Sequence, residues 1–312
     1  MVTNPTFKLL ANDKDVTDTL QKELISITFK DEENDNADEL TIKVAGEFAR
    51  PQYEDELKLY LGYGDDLVYC GLFTVQTSKR NDNNILTISA TGVNFSSILK
   101  EKRDITYEKI SIKDICQQIA SRNNLKTKSD FDDVSILSIA QSNESDLHFL
   151  NRLAKSYNAI FNIKNDTLIF THKIKNDKKN KDLPSYTVSA DEVSTLSVKH
   201  SNKTLYKSCK SIWHDTKENK TKEIVVGVGE PILINKGNFK NEAEAKSKAQ
   251  AKLERAVQGL VSGSLSMAGE VIFAGGTLNL IDTLEDDGEY RIKSVNHSFT
   301  SSGWTISLNF EN

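Results

Sequence analysis

Two copies of one strand pattern occur far apart in this chain. Residues 71–89 are GLFTVQTSKRNDNNILTIS, and residues 288–307 are GEYRIKSVNHSFTSSGWTIS. The matching positions are Phe73 with Tyr290, Val75 with Ile292, and residues 87–89 with residues 305–307. One additional residue in the polar loop of the second copy accounts for the difference in spacing. A repeat of this kind predicts that the two ends of the chain fold alike.

The strands that precede the two copies also match. Leu57 and Leu59 correspond to Leu278 and Leu280, and residues 24–29 correspond to residues 193–198. Short segments of alternating apolar and polar residues, separated by polar turns, are typical of a closed or nearly closed antiparallel barrel. We therefore expect a mainly β fold with an α+β insertion, in which two similar antiparallel β-barrels flank a helix–helix–hairpin region.

The region between the two copies has helical periodicity. Residues 111–124 place apolar residues on one face, with Ser111 and Asp114 spaced as a capping box. A second helix is predicted over residues 144–157, with Asn143 as its N-cap. Residues 159–170 then alternate as a hairpin, whose turn falls at Asn165 and Asp166.

These patterns predict three domains. Residues 1–103 form the first barrel, residues 104–190 the interposed α/β region, and residues 191–312 the second barrel. Asn241 is placed to cap a helix over residues 241–258, and the narrow stripe of small apolar residues on that helix predicts that it covers the rim of the second barrel. The apolar stretch 259–281 contains Glu270 and several glycines, so we expect strands there and no membrane insertion.

Catalytic signatures are scarce in this sequence. No nucleophile elbow, phosphate-binding loop or zinc-protease motif is present, and the three cysteines and five histidines lack metal-ligand spacing. A net charge of −5 disfavours sequence-independent DNA binding, and the charged run 173–182 is expected to be a solvated loop. The carboxylates at 54–55 and 285–287 are expected to be turn residues. We predict no enzyme activity and no catalytic, cofactor-binding or metal-binding residue.

Residues 141–170 resemble the signature of phage late control D proteins, the central hubs of contractile-tail baseplates, and the N-terminal part of the type VI secretion valine-glycine repeat spike protein. The matching motif residues are Gln141, Glu144, Ser145, Asp146, Leu147, Phe149, Leu150, Arg152, Leu153 and Ala154. The Ala-rich helix 241–257, the segment 288–292 and His297 resemble the end of the same family.

The resemblance implies a structural hub with two tube-type barrels per chain. Three such chains would form a pseudo-sixfold ring that adapts a hexameric tail tube to a trimeric spike. The implied partners are two further copies of the chain, the tube protein, a separate spike protein and a tape-measure protein, with DNA only as passing cargo. The implied location is the host cytoplasm during assembly and then the baseplate of a virion or phage-like particle.

In this interpretation the motif helix is structural. Leu147, Leu150 and Leu153 are expected to anchor it against a barrel, and Arg152 to pair with Glu144 or Asp146. Two alternatives remain open from the sequence: a baseplate-associated peptidoglycan hydrolase that would use a pair of carboxylates, and a cell-wall-binding module over residues 104–137.

Overall fold

The computed structural model describes residues 4–33, 38–92, 99, 101–132, 134–164, 167–172, 174–175, 178–179, 184–201, 205–215, 218–237 and 239–312. The N-terminal elements are β1 (Pro5–Ala11), β2 (Lys14–Asp15), α1 (Thr17–Gln21), β3 (Leu24–Glu32), β4 (Glu39–Ala45), β5 (Glu56–Tyr63), β6 (Asp66–Arg80) and β7 (Ile85–Thr91). The middle elements are β8 (Lys102–Ser111), α2 (Ile112–Arg122), β9 (Lys126–Ser129), β10 (Ser135–Ser145), α3 (Asp146–Tyr157), β11 (Ala159–Lys164), β12 (Thr167–His172), β13 (Ile174–Lys175) and β14 (Lys178–Lys179). The C-terminal elements are β15 (Ser185–Ser189), β16 (Val193–His200), β17 (Ser208–Asp215), β18 (Lys220–Gly227), β19 (Ile232–Lys236), α4 (Glu242–Val257), β20 (Val261–Ala268), β21 (Thr277–Ile281), β22 (Gly288–Thr300) and β23 (Gly303–Glu311).

Strands from both ends of the chain form one large sheet. Within the described residues it has 13 strands, in the order β16-β20-β23-β22-β3-β4-β7-β6-β5-β1-β2, with β21 pairing β22 and β15 pairing β21. The chain is therefore mainly β, as the alternating apolar segments predict. Closure of either half into a barrel, and the domain boundaries at 103/104 and 190/191, stay predictions.

The large sheet contains the same arrangement of five strands twice. We call β3–β7 the first module, and β16 with β20–β23 the second module. Numbered along the chain within each module, the strands lie side by side in the order first, second, fifth, fourth, third in both. The duplication inferred from the sequence is thus present in the topology of the sheet.

The strand register is duplicated as well. In the first module Leu57 lies opposite Phe73 and Leu59 opposite Gly71. In the second module Leu278 lies opposite Tyr290 and Leu280 opposite Gly288. These are the residues that the sequence comparison pairs between the two copies, so the match extends from sequence to cross-strand neighbours.

Each module also carries two β-bulges at corresponding positions. Between β6 and β7 the register shifts after Val75, so that Thr77 faces Ser89. Between β22 and β23 it shifts after Ile292, so that Ser294 faces Asn309. The other pair of bulges lies at residue 25 between β3 and β4 and at residue 194 between β16 and β20. A bulge bends its strand and changes the direction of the residues that follow. The repetition of these bulges therefore shows that the strands of the two modules follow similar backbone paths.

One detail of the sequence match is corrected by these bulges. If Thr77 corresponds to Ser294, then Ser89 corresponds to Asn309 and not to Ser307. The Thr-Ile-Ser triplets at 87–89 and 305–307 are therefore displaced by two residues from structurally equivalent positions. The second hairpin is longer than the first by more than the single residue inferred from the sequence match. A shift of two residues keeps every side chain on the same face of the sheet, which is why the sequence pattern hides it.

The modules are joined edge to edge. Strand β22 pairs antiparallel with β3, from Ser294 opposite Glu32 to Thr300 opposite Ser26. A single hydrophobic core spans this junction and includes buried residues from both modules, among them Phe29, Phe73 and Phe310.

The middle region has its own hydrophobic core, built from α2, α3 and the strands around them. Helix α2 begins after Ser111, whose side chain accepts a hydrogen bond from the Asp114 amide at 3.0 Å, as predicted. Strands β11 and β12 form the predicted hairpin, but its turn at Asn165 and Asp166 lies outside the described residues. Most of the charged run 173–182 also lies outside them.

Helix α4 packs differently from the prediction. Asn241 caps it by accepting a hydrogen bond from the Glu244 amide at 2.8 Å. Its small residues Ala245 and Ala249, however, pack against the three-stranded sheet β18-β17-β19 rather than over the rim of the second module. The larger side chains in this interface, among them Trp213, Val226 and Leu233, come from the sheet, so a narrow stripe of small residues on the helix is enough to cover them. Among the described residues, no helix combines the length and apolar character needed to cross a bilayer.

Candidate functional site

The motif residues lie at the junction of β10 and α3. Ser145 is the N-cap of α3, and its hydroxyl accepts a hydrogen bond from the His148 amide at 3.2 Å. The prediction that Asn143 caps this helix was wrong. Strand β10 continues through 145 after a register shift between Gln141 and Glu144, and Asn143 takes a left-handed conformation with φ 48°. Asn tolerates this conformation better than most residues, so here it serves the bulge and not the cap.

A buried carboxylate is the centre of the motif. Asp146 has no exposed surface, and Arg122 donates to both of its oxygens, at 2.5 Å to Oδ1 and 2.8 Å to Oδ2. Gln141, also fully buried, donates to Oδ1 at 2.8 Å, and Asn123 donates to Oδ2 at 3.0 Å. Arg122 also donates to the Tyr107 hydroxyl at 2.9 Å. We call these five residues the Asp146 network.

The charge state of Asp146 follows from these contacts. Burial opposes ionisation, but the hydrogen bonds from Arg122, Gln141 and Asn123 outweigh it, so the pKa of Asp146 lies below its usual value. The aspartate is therefore ionised at neutral pH and ties the C-terminal end of α2 to the start of α3. An ion pair that is fully engaged in this way is a fixed structural joint rather than a group available for proton transfer.

The second acidic residue of the motif lies closer to solvent. Glu144 Oε2 accepts from Arg152 Nη2 at 2.7 Å, and Arg152 also donates to the Ala140 carbonyl at 2.9 Å. The hydrogen bond from Arg152 holds the pKa of Glu144 below its usual range. The predicted partnership of Arg152 with Glu144 is confirmed, whereas Asp146 is held by Arg122. Since the Arg152 side chain is 41% exposed, this pair contributes only about 0–1 kcal/mol.

The apolar motif residues face the core of the middle region. Phe149, Leu150 and Leu153 are at most 1% exposed, whereas Leu147 is only partly buried at the edge of the same cluster. The Phe149 ring stacks on Tyr107 with 5.4 Å between ring centroids, which links the apolar face to the Asp146 network. The prediction that these residues anchor α3 against a barrel was wrong, because their partners belong to the middle region's own core.

Sequence reasoning missed Arg122, Asn123 and Tyr107 in this site. The sequence did contain one signal. Asp146 lies beside the apolar stripe of the predicted helix and could be expected to be buried, and a buried carboxylate needs a cation and hydrogen-bond donors. Arg122 and Asn123 end the preceding predicted helix, but which of the many basic residues would reach Asp146 depends on how the two helices pack.

A histidine is buried where the two modules meet. The His297 ring lies between Phe29 and Trp304, with 5.1 and 6.0 Å between ring centroids, and its Nε2 is 3.1 Å from the Ile272 carbonyl. Burial lowers the pKa of His297 to about 4, so the ring is neutral at physiological pH and donates from Nε2. It lies in the middle of β22, and its contacts are those of a core residue.

The acidic turns considered for hydrolysis bond partly to their own backbone and partly to distant residues: Asp286 Oδ1 lies 2.7 Å from His200 Nε2, and Asp55 Oδ1 accepts from Asn12 Nδ2 at 2.8 Å. Asp55 accepts from the Gln52 amide at 2.8 Å, and Asp287 accepts from the Thr283 amide at 2.7 Å. A cavity of about 460 Å³ lies between the large sheet and the β9-β12-β11 sheet, with Cys70, Phe73 and Ile169 among its lining residues. Neither acidic turn lines this cavity.

Comparisons with known proteins agree on one family. A sequence profile of the family described as "Phage tail baseplate hub (GPD)" matches residues 57–303. A probable baseplate hub protein of Escherichia phage 186 is 25% identical over 360 aligned positions, which cover 98% of this chain and 92% of that protein.

Solved structures share the fold across the whole chain. The tail protein from Neisseria meningitidis MC58 aligns with a TM-score of 0.73 at 10% identity, covering 99% of this chain and 97% of that one. An E. coli component of the type VI secretion system aligns with a TM-score of 0.56 at 9% identity, covering 92% and 73%. At such low identity these two likenesses concern the fold.

Proposed function

Because this chain belongs to the phage tail baseplate hub (GPD) family, we propose that three copies of it form a ring that joins the sixfold tail tube to a threefold spike. Family membership establishes the hub role, and the proposal concerns how the hub is built. A closed cyclic trimer satisfies the contact surfaces of every subunit, as is usual for soluble homo-oligomers.

The observation that carries the proposal is the duplicated module. Two modules with the same strand order, matching cross-strand partners and two bulges at corresponding positions stand side by side in each chain. Three chains would therefore present six similar modules around one axis while keeping only threefold symmetry. In such a ring, each of the six subunits of the tail tube would face one module. The ring as a whole would keep threefold symmetry, so a threefold spike could still dock on its opposite face.

The proposed partners follow from this geometry. The tail tube protein would stack on one face of the ring, a separate spike protein would bind the other, and the central opening would hold the tape-measure protein or pass DNA as cargo. The chain would assemble in the host cytoplasm and act in the baseplate of the finished particle. The fold likeness to a type VI secretion component supports a place in a contractile injection device.

We propose a structural role for the motif and no catalytic one for the chain. In this role Gln141 and Asp146 fix the start of α3, Phe149, Leu150 and Leu153 fill the core beneath it, and the other motif residues border it. The acidic turns at 54–55 and 285–287 stabilise loops, which supports the structural role over the hydrolase alternative.

Native mass spectrometry tests the ring. The chain is measured alone at several concentrations and as isolated from assembled tails. We expect a particle of three times the chain mass of 34.9 kDa in at least one preparation. A stable dimer, or a monomer in both preparations, would contradict the ring.

A further inference from the structure

The two modules differ in what lies beside their first strands. In the first module the outer edge of β3 pairs with β22. In the second module the corresponding strand, β16, pairs with β20 on one side, and no described strand lies along its other edge. The second module therefore ends in an open edge where the first module has a neighbour.

The complementary edge is open in the first module. Strand β22 uses residues 294–300 to pair with β3, and the bulges identify Thr77 as the counterpart of Ser294 in β6. Residues 77–80 pair with β7 on one side. Along their other edge the structure describes no strand, and the Arg50 guanidinium donates to the Ser78 carbonyl there at 2.7 Å.

We propose that β16 of one chain pairs antiparallel with residues 77–80 of β6 in the neighbouring chain, in the register that β3 and β22 use within one chain. This inference rests on the proposed trimeric ring and specifies the contact that closes it. The register places Thr77 opposite Ser201, Ser78 opposite His200, and Arg80 opposite Val198. The sheet would then pass from module to module through alternating internal and intermolecular junctions.

The backbone groups on both edges point in the direction that this register needs. The Ser201 amide donates to the Leu260 carbonyl at 2.7 Å, toward β20. Because peptide groups alternate along a strand, those of His200 and Val198 point to the open edge. The Ser78 carbonyl also faces its open edge, since Arg50 reaches it there. Ser78 and His200 are thus a hydrogen-bonded pair in the proposed register.

Side-chain burial supports the same contact. Ile27 and Phe29 of β3 are each 1% exposed beside β22. Their counterparts in β16, Leu196 and Val198, are only half-buried. A neighbouring β6 hairpin would cover these two apolar side chains as β22 and its loop cover those of β3.

The free edge is protected before assembly. An uncovered strand edge invites uncontrolled pairing, and charged side chains commonly block it. Arg50 occupies the Ser78 carbonyl and would release it when β16 arrives. Lys79 would lie opposite Lys199, and this like-charge pair weakens the proposed contact slightly. Before assembly, a lysine on each open edge also disfavours pairing of that edge with unrelated strands.

Disulfide trapping tests the register. Thr77→Cys with Ser201→Cys places two cysteines at a non-hydrogen-bonded pair, where Cα atoms of antiparallel strands lie about 4.5 Å apart, close enough for a disulfide. We expect mild oxidation of this variant, alone and in assembled tails, to give covalent dimers and trimers on denaturing gels without reductant. The native Cys70, Cys116 and Cys209 are buried and should react little.

Two matched variants serve as controls. Glu32→Cys with Ser294→Cys occupies the corresponding pair within one chain and should form an intramolecular disulfide with no change in oligomer mass. Thr77→Cys with Lys199→Cys is displaced by two residues from the proposed register and should cross-link at least tenfold less than the Thr77–Ser201 pair.

The outcomes separate this inference from the ring itself. If the wild type is a trimer and the Glu32–Ser294 control closes, but the Thr77–Ser201 pair does not cross-link, the strand pairing is wrong and the ring stands. If the displaced pair cross-links as well as the Thr77–Ser201 pair, the register is wrong. A wild-type chain that is monomeric alone and in tails would overturn both proposals.

Discussion

Replacing Leu150 and Leu153 together by Asp is expected to prevent the middle region from folding. Both side chains are at most 1% exposed in the core of that region. Truncating one buried Leu costs roughly 2–5 kcal/mol, and each new carboxylate is buried without a partner, which adds a further penalty. The combined loss reaches the total stability of an ordinary domain, about 5–15 kcal/mol. Circular dichroism and limited proteolysis of the purified variant measure this loss.

The matched control for this variant is Lys155→Asp. Lys155 lies in the last turn of the same helix and is exposed, so even the reversal of its charge should change the free energy of unfolding by only about 1 kcal/mol or less. If the Leu150→Asp, Leu153→Asp variant melted like the wild type and resisted protease equally, the packing of α3 would be misassigned.

Asp146→Ala is expected to have the second largest effect. It removes the acceptor of Arg122, Gln141 and Asn123 and leaves a partly buried guanidinium without its counter-ion. Breaking a buried pair on one side typically costs about 3–5 kcal/mol. Glu144→Ala is the matched control, because the side chain of its partner Arg152 is 41% exposed and remains solvated when the carboxylate is removed, so the expected cost is only about 0–1 kcal/mol. Urea unfolding at pH 7 compares the two variants.

The same substitution should change the response to acid. The pKa of Asp146 lies below its usual value in the folded chain, so its stabilisation is complete at pH values above about 4, the ordinary pKa of Asp. That stabilisation is lost as the pH falls through the lower pKa of the folded state. The difference in unfolding free energy between wild type and Asp146→Ala should therefore shrink below pH 4. Equal losses for Asp146→Ala and Glu144→Ala at pH 7 would contradict the structural role of the Asp146 network.

The sequence predicts the modules well because a strand's register follows its apolar pattern. Leu57 and Leu59 alternate as Leu278 and Leu280 do, and burying one face leaves them only one set of cross-strand partners. The same property limits the prediction, since a displacement by two residues preserves the face. The Thr-Ile-Ser triplets were matched wrongly for this reason.

Features that depend on how separate elements pack against one another could not be predicted from the sequence. Asn143 and Ser145 are both good capping residues, and the bulge in β10 decides between them. The pairing of Arg122 with Asp146 depends on the packing of α2 against α3. The pairing of β3 with β22 joins backbone edges, and edges carry little side-chain information.

The central claim is that each chain supplies two equivalent modules to one ring. Averaged end-on electron micrographs of the purified ring test it most directly. We predict six similar lobes around the axis, with a dominant sixfold component at low resolution and alternating lobes that reveal the threefold symmetry at higher resolution. A twofold particle, or a ring of three lobes without a sixfold component, would contradict the claim.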